Sequence, residues 1–457
     1  MKKENRGNEV TVVGLGYVGL SLAVCLANRG FRVVGCDLDS EKVERINRGN
    51  PPIYEPHLKN FLHNSLKKGF RAFASIVPSY INFIAVGTPC DERGKVDLSQ
   101  VQKASEELGY SITKRNGYSL VVVKSTVPPG TTENVVKRAI ETLSGKKFGE
   151  EVGLVMNPEF LREGSSIEDT LNPDRVIIGE YDKRSGDTLL KLYRIFYSGK
   201  MPQFLRTNIV NAELIKYANN AFLATKVSFI NMIANLCQKI PAANVDVVAK
   251  GIGMDRRIGK QFLRAGPGWS GSCLPKDTRA LKSIFSDAGV ESPVLDGAIR
   301  MNELQPLKVL ELIKTSLGTL KGKRVAVLGL SFKPNTDDVR DSVSIKLIKL
   351  LVEKGAEVCA YDPAAIENAK MTVQNQNNVH GRIHFASSVG AALEDADCCV
   401  VVTEWEEFGR LDAKDFSRMR NNLVVDTRRI LNSSDFDGVK LISVGVGSMD
   451  TFAKGEN

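Results

Sequence analysis

The chain has 457 residues, and its 42% apolar and 25% charged residues are typical of globular proteins, which excludes a disordered or fibrous class. The net charge of +9 is spread along the sequence rather than gathered into basic runs, so it favours a small anionic ligand over nucleic acid. The eight cysteines contain no CxxC pair and no His/Cys metal spacing, so we expect no metal site and no disulfide scaffold.

Length and hydropathy bound the organisation of the chain. A chain of 457 residues is too long for one ordinary core and predicts about three domains. No stretch reaches the roughly 18 apolar residues of a membrane span. The start, MKKENRGNEV, has no apolar run after its lysines and does not resemble a secretory signal. We therefore expect no membrane span and a reducing, cytoplasmic location.

The first recognisable unit is a strand, a glycine-rich turn and a helix. Val10 to Gly14 predicts a buried strand, which runs into GLGYVGL and then an apolar helical pattern from Leu20 to Arg29. This is a Gly-x-Gly-x-x-Gly turn in the context that binds dinucleotides. Gly14 permits the tight turn, Gly16 lets a pyrophosphate approach, and Gly19 lets helix and strand pack. The phosphates are then expected at the helix amino terminus.

The cofactor type follows from the end of the next strand. Phe31 to Cys36 predicts a strand that ends at Asp37, where a carboxylate accepts hydrogen bonds from a ribose diol and repels a 2′-phosphate. The sequence therefore favours NAD over NADP. Lys42 is a nearby cation that either modifies this preference or lies on a solvated helix face.

Three further strands end in loops rich in functional residue types. Ile81 to Val86 leads into GTP, Leu120 to Lys124 into STVPPGTT, and Gly153 to Met156 into NPEFLREG. Strands alternating with helices predict a doubly wound parallel sheet whose ligand lies at the strand carboxyl ends. The candidates by position are Thr88, Thr126, Glu159 and Glu163. A turn or helix-cap role is the alternative for each of them.

A long helix is predicted from Asn208 to Lys239. It is apolar on most sides, so we expect it to be buried as a spine between two domains and as part of a dimer interface. Lys216 and Asn220 share one of its faces. A buried ammonium needs a partner or a ligand, so this face is a candidate site. The alternative is a lysine that reaches the surface beside a capping asparagine.

The strongest chemical signal is the loop GPGWSGSCLPKDTR from Gly266 to Arg279, which follows a piece expected to be helical at Asp255 to Gly259. Its glycines and serines let backbone approach a ligand, and Cys273 lies among them with Lys276 and Asp277 just beyond. A free thiol has a pKa of about 8.5, so a reactive cysteine needs a cation or amide dipole nearby. A buried structural cysteine is the alternative.

A second α/β unit begins at Arg324 after a connecting helix expected from Ser292 to Gly318. Its first loop lacks the triple glycine and carries charged residues suited to a phosphate: Lys333, Asp337, Asp338 and Arg340. Further strands are expected near Arg382 to Ala386, Asp397 to Glu404 and Leu423 to Arg428. The expected loops are Asp362 to Asn375 and the tail after Gly447.

Taken together, these motifs resemble the nucleotide-sugar dehydrogenase family, that is, the UDP-glucose/GDP-mannose dehydrogenases. GLGYVGL, NPPIYEPHL, VGTP, STVPPGTT, NPEFLREG, RIGKQFL, SGSCLPKDT, SFKPNTDDVRDS and DTRRI occur in the family's order from about residue 9 to about 445. The resemblance implies an α/β fold with two Rossmann-like doubly wound sheets joined by a long central helix and a helical middle domain. The expected divisions are an NAD-binding domain, a central domain with the cysteine loop, and a UDP-sugar-binding domain: 1–206, 207–305 and 316–457.

The resemblance also implies the reaction. It is an NAD-dependent, four-electron oxidation of a sugar C6 alcohol to a carboxylate, through a thiohemiacetal and a thioester on Cys273. NPEFLREG favours UDP-glucose as substrate and UDP-glucuronate as product. The catalytic residues implied are Cys273, Lys216, Asn220, Asp277, Glu159 and Thr126. Lys216 and Asn220 would stabilise oxyanions, and Glu159 is the expected hydrolytic base.

The remaining implied residues belong to two binding sites. The cofactor-binding set is Gly14, Gly16, Tyr17, Val18, Gly19, Asp37, Lys42, Thr88, Thr126, Glu163, Lys276 and Arg340. The substrate-binding set is Glu159, Phe160, Leu161, Arg162, Lys216, Asn220, Arg257, Phe262, Leu263, Gly266, Lys333 and Arg428. Arg257 is expected to reach a neighbouring subunit's sugar site, so a homodimer or higher homo-oligomer is implied.

Ser270 departs from the family pattern, because glycine is usual at this position of the cysteine loop. Its hydroxyl leaves other nucleotide sugars open as substrates: GDP-mannose, UDP-galactose or a UDP-N-acetylhexosamine. Two further alternatives are a non-catalytic nucleotide-sugar sensor and a two-electron hydroxy-acid or reductase-type enzyme. The sensor would leave Cys273 and Lys216 without a purpose, and the two-electron enzyme would need no nucleophilic cysteine.

Overall fold

The computed structural model describes residues 8–374, 381–432 and 435–447. The chain forms two compact units, one of residues up to 219 with 279–284, the other of 220–278 with the residues from 285 onward. Each unit is organised around one sheet of mainly parallel strands. The predicted α/β class with two Rossmann-like sheets is confirmed.

The first sheet has eight strands. They are β1 (Glu9–Val13), β2 (Arg32–Cys36), β3 (Arg71–Phe73), β4 (Ile81–Ile84), β5 (Ser119–Val123), β6 (Val152–Met156), β7 (Arg175–Glu180) and β8 (Gln203–Thr207). Their order is β3-β2-β1-β4-β5-β6-β7-β8, and only the β6–β7 pair is antiparallel. Chain order reverses between β1 and β4, which is where doubly wound sheets bind ligands.

Helices cover both faces of this sheet. They are α1 (Tyr17–Asn28), α2 (Ser40–Asn47), α3 (Leu58–Lys67), α4 (Ser99–Thr113), α5 (Arg138–Ser144), α6 (Ser166–Leu171) and α7 (Lys183–Phe196). Helix α1 is buried from Gly19 through Ala27, which explains its nearly all-apolar sequence. One core lies under α1, α3 and α7, and a second lies under α4 and α5.

Four helices precede the second sheet. They are α8 (Ile209–Cys237), α9 (Val245–Gly253), α10 (Leu274–Asp287) and α11 (Pro293–Leu317). Helix α8 begins in the first unit and ends in the second. The long helix predicted from Asn208 to Lys239 is therefore confirmed within two residues at each end. It is not fully buried in the single chain, because it exposes large apolar side chains such as Phe222.

The second sheet has six strands, all parallel. They are β9 (Arg324–Leu328), β10 (Glu357–Tyr361), β11 (Ile383–Phe385), β12 (Cys398–Val401), β13 (Leu423–Asp426) and β14 (Lys440–Ser443), in the order β11-β10-β9-β12-β13-β14. The accompanying helices are α12 (Val343–Glu353), α13 (Ile366–Gln374) and α14 (Val389–Leu393). Two apolar cores fill its opposite faces.

Two expectations about local structure are wrong. The segment from Asp255 to Gly259 is not helical, because α9 ends at Gly253 and the Asp255 carboxylate holds a turn by accepting the Arg257 N–H at 2.9 Å. The expected loop from Asp362 contains α13, whose start is fixed when Asp362 accepts the N–H groups of Ala364 and Ala365, each at 2.9 Å. The end of that expected loop at Asn375 and the tail after Gly447 lie outside the described residues.

Two further observations concern disulfides and membrane spans. All eight cysteines lie in the described part of the chain, and none of them forms a disulfide. Over the same described part, no helix combines the length and apolar character needed to cross a membrane.

The glycine turn after β1 gives a test of packing. A Cβ added at Gly19 would lie 1.8 Å from the Gly14 carbonyl oxygen, whereas one at Gly16 would meet no atom within 4 Å. We expect Gly19→Ala to destabilise the first unit by at least about 1–3 kcal/mol through overpacking. Gly16→Ala, the matched control, should unfold near the wild-type temperature. Circular dichroism during thermal unfolding measures both, and equal midpoints for the two variants would contradict the packing account.

Candidate active site

The glycine turn forms a cradle at the amino end of α1. Gly14 has a φ of +92°, and a Cβ there would lie 2.6 Å from the Ala85 carbonyl oxygen, so only glycine fits. The space in front of Gly16 is open. Helix α1 starts at Tyr17, so its positive dipole end and the Val18 region of its first turn border that space. These features fit the pyrophosphate of a dinucleotide.

Asp37 lies at the carboxyl end of β2, beside this cradle. Its carboxylate accepts the Leu15 N–H at 2.8 Å and the Lys42 ammonium at 3.0 and 3.1 Å. Lys42 is therefore not on a solvated face, because it neutralises Asp37. The Asp39 N–H also donates to this carboxylate, at 3.1 Å, so these contacts fill its four acceptor positions. A ribose diol would bind here by taking the place of the Lys42 ammonium.

A buried ion pair is the centre of the first unit's candidate site. The Lys216 ammonium on α8 donates to the Glu159 carboxylate at 2.8 Å, with side chains only 3% and 8% exposed. The Leu161 N–H donates to the other carboxylate oxygen at 2.6 Å. Burial alone would raise the pKa of Glu159, but the Lys216 charge and these hydrogen bonds outweigh it and hold the pKa below its usual range. Glu159 is thus a carboxylate at neutral pH.

Lys124, at the end of β5, is a second buried cation that the sequence analysis did not select. Its ammonium donates to the Asn157 side-chain oxygen at 3.0 Å and more weakly to the Asn157 carbonyl at 3.4 Å. Burial lowers the pKa of Lys124 to about 8; Glu159 partly offsets this effect, and Lys216 adds to it. A lysine directly after the apolar strand Ser119–Val123 was the available signal.

The second unit contains the cysteine. Cys273 directly precedes α10, so its half-buried thiol lies at the positive end of a helix, which stabilises a thiolate. Its sulfur is 3.5 Å from the Ser272 hydroxyl. Asp277, one turn into α10 and only 1% exposed, accepts from the Asn220 amide and from the Lys276 ammonium, each at 2.6 Å.

Glycines and an anchored tryptophan shape the cysteine loop. A Cβ at Gly268 would lie 2.8 Å from the Asn302 side-chain oxygen, and one at Gly271 would lie 2.7 Å from the Phe332 ring. Both glycines have positive φ values, of +128° and +90°. The Trp269 indole donates to a buried serine, Ser228, at 2.8 Å. Ser270 is buried within this frame.

Two of the second-unit residues that we expect to bind the nucleotide sugar, Gly266 and Arg428, lie next to each other. The Gly266 N–H donates to the Asn231 side chain at 2.8 Å, and a Cβ at Gly266 would lie 3.1 Å from the Arg428 guanidinium. Arg428 donates to the Val402 carbonyl at 2.7 Å, and burial lowers its pKa. The side chain of Phe262 is exposed, and its backbone has a φ of +61°.

The remaining members of the expected substrate set have varied surroundings. The Lys333 ammonium lies 5.3 Å from the Phe332 ring centre. In the first unit, the Phe160 ring has the Arg175 guanidinium 3.9 Å from its centre and the Lys216 ammonium 5.3 Å from it. Leu263 is buried in the apolar cluster that joins α8 and α9.

Three of the predicted arginines form ion pairs with aspartates that are near them in the sequence. Arg162 is bound by Asp169 at 2.6 Å, Arg257 by Asp255 at 2.6 Å, and Arg340 by Asp338 at 2.7 Å. All three guanidinium side chains remain largely exposed. These carboxylates orient the arginines, which is a geometry that the sequence spacing did not predict.

Thr88, Thr126 and Glu163 follow β4, β5 and β6, so the structure brings them to the carboxyl edge of the first sheet as expected. Thr88 is buried, and the other two are half-buried. Within residues 8–374, 381–432 and 435–447, no group of three or more His, Cys, Asp or Glu side chains is arranged to hold a metal ion.

Comparisons with known proteins extend along the chain. Three family models match: the NAD binding domain of the UDP-glucose/GDP-mannose dehydrogenase family over residues 8–197, its central domain over 210–304, and its UDP binding domain over 326–433. A UDP-glucose 6-dehydrogenase from Haloferax volcanii is 40% identical over 427 residues, covering 93% of this chain and 97% of that protein. One from Bacillus subtilis is 38% identical and covers 96% and 93%.

Solved structures agree with these matches. A UDP-glucose dehydrogenase from Pyrobaculum islandicum has a TM-score of 0.87 and 38% identity, covering 96% of this chain and 98% of that one. A UDP-D-ManNAc dehydrogenase from Pyrococcus horikoshii has a TM-score of 0.82 and 28% identity, covering 96% and 99%. The matched NAD binding domain and the cradle at Gly16 identify NAD as the cofactor. The chain belongs to the UDP-glucose/GDP-mannose dehydrogenase family and is an NAD-dependent oxidoreductase.

Proposed function

We propose that the chain oxidises UDP-glucose to UDP-glucuronate in two steps, with Cys273 holding the half-oxidised sugar. The observation that carries the proposal is the position of Cys273 at the amino end of α10, one turn from the buried Asp277 and its partners Asn220 and Lys276. The relatives named UDP-glucose 6-dehydrogenase support the choice of sugar. When bound, NAD accepts the hydride removed from C6 in each oxidation.

The chain's own residues account for the covalent steps. The first oxidation removes a hydride and the hydroxyl proton from C6 and leaves an aldehyde. The Cys273 thiolate bonds to that carbon and gives a thiohemiacetal, so the aldehyde does not escape. The second hydride leaves from the same carbon while the thiohemiacetal hydroxyl loses its proton, and a thioester forms. Water then displaces the sulfur, which releases the carboxylate and restores the thiolate.

Proton transfer and charge stabilisation fall to the buried polar groups. Lys216 and Asn220 are four residues apart on α8, and each is held by a carboxylate, Glu159 and Asp277. We assign them to the oxyanions that form at C6, a role worth about 10²–10³ in kcat per donor in other enzymes. Glu159 is the hydrolytic base, and Asp277 with Thr126 positions the attacking water.

The binding residues are assigned to two ligands. For NAD they are Gly14, Gly16, Tyr17, Val18, Gly19, Asp37, Lys42, Thr88, Thr126, Glu163, Lys276 and Arg340. For the UDP-sugar they are Glu159, Phe160, Leu161, Arg162, Lys216, Asn220, Arg257, Phe262, Leu263, Gly266, Lys333 and Arg428. The proposed divisions are 1–206 for NAD, 207–305 for the cysteine loop and oligomer contacts, and 316–457 for UDP-sugar. The reduced cysteines suit a cytoplasmic enzyme.

Cys273→Ala tests the covalent mechanism. We expect it to bind UDP-glucose and NAD normally, because the substitution removes one sulfur and no binding charge. Steady-state NADH formation should fall by at least about a thousandfold, as it does when other enzymes lose a nucleophile. Absorbance of NADH with UDP-glucose measures turnover, and calorimetry measures binding.

Cys359→Ala is the matched control, because Cys359 is a buried cysteine of β10 in the same unit. It should keep wild-type turnover. Normal turnover in Cys273→Ala would reject the covalent mechanism. A wild-type chain that binds UDP-glucose but forms no NADH would favour the sensor. A yield of one NADH per UDP-glucose would favour the two-electron enzyme. A yield of two NADH per sugar from another nucleotide sugar, with none from UDP-glucose, would show that the other sugar is the substrate.

Asp37→Ser tests how the cofactor is selected. The substitution removes the acceptor for the ribose diol and releases Lys42 from its 3.0 Å ion pair, leaving a cation for a 2′-phosphate. We expect the Kd for NAD to rise by roughly tenfold and the advantage of NAD over NADP to narrow. Fluorescence titration with both cofactors gives the ratio.

Asp39→Ser is the control for this loop, because Asp39 caps α2 by accepting the Lys42 N–H at 3.0 Å and serine also caps helices. Its cofactor ratio should equal that of wild type. An unchanged ratio in Asp37→Ser would mean that the ribose is bound elsewhere.

We propose that the second-unit part of α8 forms the homodimer interface. Large apolar side chains lie exposed at seven-residue spacing along it: Phe222, Phe229 and Leu236, with Met232 beside them. Phe222 is 65% exposed, and burying such aromatic rings drives association. Phe222→Glu should therefore shift the chain from dimer to monomer in size-exclusion chromatography with light scattering.

Tyr110→Glu is the matched control, because Tyr110 is an equally exposed aromatic residue (61%) on α4. It should leave the molar mass unchanged. A dimer that survives Phe222→Glu at all concentrations would place the interface on another face.

A further inference from the structure

We propose that Asn302 on α11 is a positioning residue for Cys273: its side-chain amide fixes the backbone of the cysteine loop at Trp269, four residues before the thiol. This inference rests on the proposed function, in which Cys273 bonds to the half-oxidised sugar. Asn302 acts through Trp269 and is not assigned a contact with substrate or NAD. The residues involved all belong to the second unit.

The Asn302 amide binds both backbone groups of Trp269. Its oxygen accepts the Trp269 N–H at 2.7 Å, and its nitrogen donates to the Trp269 carbonyl at 2.9 Å. A side-chain amide can do this because it carries an acceptor and a donor side by side. Two simultaneous hydrogen bonds to one residue fix the orientation of its backbone as well as its position.

Other side chains of α8 and α11 hold the same half of the loop. The Gly266 N–H donates to Asn231 at 2.8 Å, and the Gly266 carbonyl accepts from Gln305 at 3.0 Å. Asn231 and Gln305 are both fully buried. The Trp269 indole donates to Ser228 on α8 at 2.8 Å. Two helices therefore anchor the loop at Gly266 and again at Trp269.

The chain between Trp269 and the thiol has little freedom. A Cβ at Gly271 would lie 2.7 Å from the Phe332 ring, so the backbone packs directly against that ring. The Cys273 carbonyl accepts the Asp277 N–H at 2.8 Å, which is a hydrogen bond of the first turn of α10. The segment is thus held at Trp269, at Gly271 and at the start of α10. A displacement of Trp269 would reach Cys273 through only three intervening residues.

A nucleophile on a glycine-rich loop needs such an anchor. Gly268 and Gly271 have φ values of +128° and +90°, and glycine loses more conformational freedom on ordering than any other residue. A Cβ at Gly268 would lie 2.8 Å from the Asn302 side-chain oxygen, so the loop backbone lies close against this amide. Misplacing a reacting group by about 1 Å can cost about a hundredfold in rate. Precise placement of the thiol is therefore what the Asn302 contact contributes.

The test compares the steady-state kinetics of Asn302→Leu and Asn302→Asp in UDP-glucose oxidation. Leucine is similar in size and makes neither hydrogen bond to Trp269. An aspartate carboxylate accepts the Trp269 N–H but cannot donate to the carbonyl. We expect kcat to fall by at least about tenfold in Asn302→Leu and by a smaller factor in Asn302→Asp. KM for UDP-glucose and for NAD should stay within about twofold of wild type, because the substitutions leave the binding residues in place.

Val309→Ala is the matched control, because Val309 is a residue of the same helix, only 1% exposed, in an apolar core of the second sheet. It should lower the unfolding temperature and keep the wild-type kcat. The proposal is overturned if Val309→Ala lowers kcat as much as Asn302→Leu does, or if the Asn302 variants raise KM alone. Should Asn302→Leu not fold, a wild-type kcat in Asn302→Asp overturns it as well.

Backbone hydrogen exchange gives a second readout, which does not depend on activity. The amides of the peptide 266–273 should exchange at least about tenfold faster in Asn302→Leu, because the Trp269 N–H loses its acceptor. Peptides from β9 should keep their wild-type protection. In Val309→Ala, the ratio of loop exchange to β9 exchange should not change. Mass spectrometry of peptic peptides measures both. Wild-type protection of the loop in Asn302→Leu would show that Asn302 does not anchor it.

The two readouts separate the failures. If wild type does not turn over UDP-glucose but loop exchange is faster in Asn302→Leu, the proposed function is overturned and the anchored loop is retained. If loop exchange is faster in that variant but kcat stays normal, the positioning role is overturned instead, because a loosened loop then supports the chemistry equally well.

Discussion

The buried ion pair between Lys216 and Glu159 is the constraint on which the first unit's site depends. A lysine on an apolar helix has no water to solvate its charge, so it requires a carboxylate within reach. Glu159 meets this requirement at 2.8 Å, and the Leu161 N–H fixes the other carboxylate oxygen. The pair thereby links helix α8 to the loop after β6, at the carboxyl edge of the sheet, where doubly wound sheets bind their ligands.

The second unit also contains a buried carboxylate that is held by hydrogen-bond donors. Asp277 is buried, and each of its carboxylate oxygens accepts a hydrogen bond, one from Asn220 and one from Lys276. With Asp277 fixed one turn inside α10, the helix begins directly after Cys273 and its dipole acts on the thiol. Thus α8 contributes one residue to each polar group, and the polar groups are fixed before any ligand arrives.

Much of this arrangement could be predicted from the sequence. The glycine turn, the Asp37 strand end and the strand-to-loop transitions each have a local cause in the sequence, so both sheets could be predicted. The candidate residues after β4, β5 and β6 lie at the carboxyl edge of the first sheet, where the strand order puts them. β3, β8 and β14 were not predicted, because they are short or half-exposed and lack a strong apolar run. β7 was not predicted either, although its central Val-Ile-Ile run is buried. Lys124 was missed because a single lysine at a strand end carries no motif, and only burial reveals its cost. The pairing of Lys42 with Asp37 likewise depends on three-dimensional contact.

The covalent intermediate on Cys273 is the central claim, and mass spectrometry of the quenched Glu159→Gln variant tests it most directly. Glutamine retains an acceptor for Lys216 but cannot activate the hydrolytic water. After mixing with UDP-glucose and NAD, the account predicts two NADH per chain and a nucleotide-sugar thioester that maps to the peptide containing Cys273. NADH formation without an adduct, or with an adduct on another residue, would contradict it.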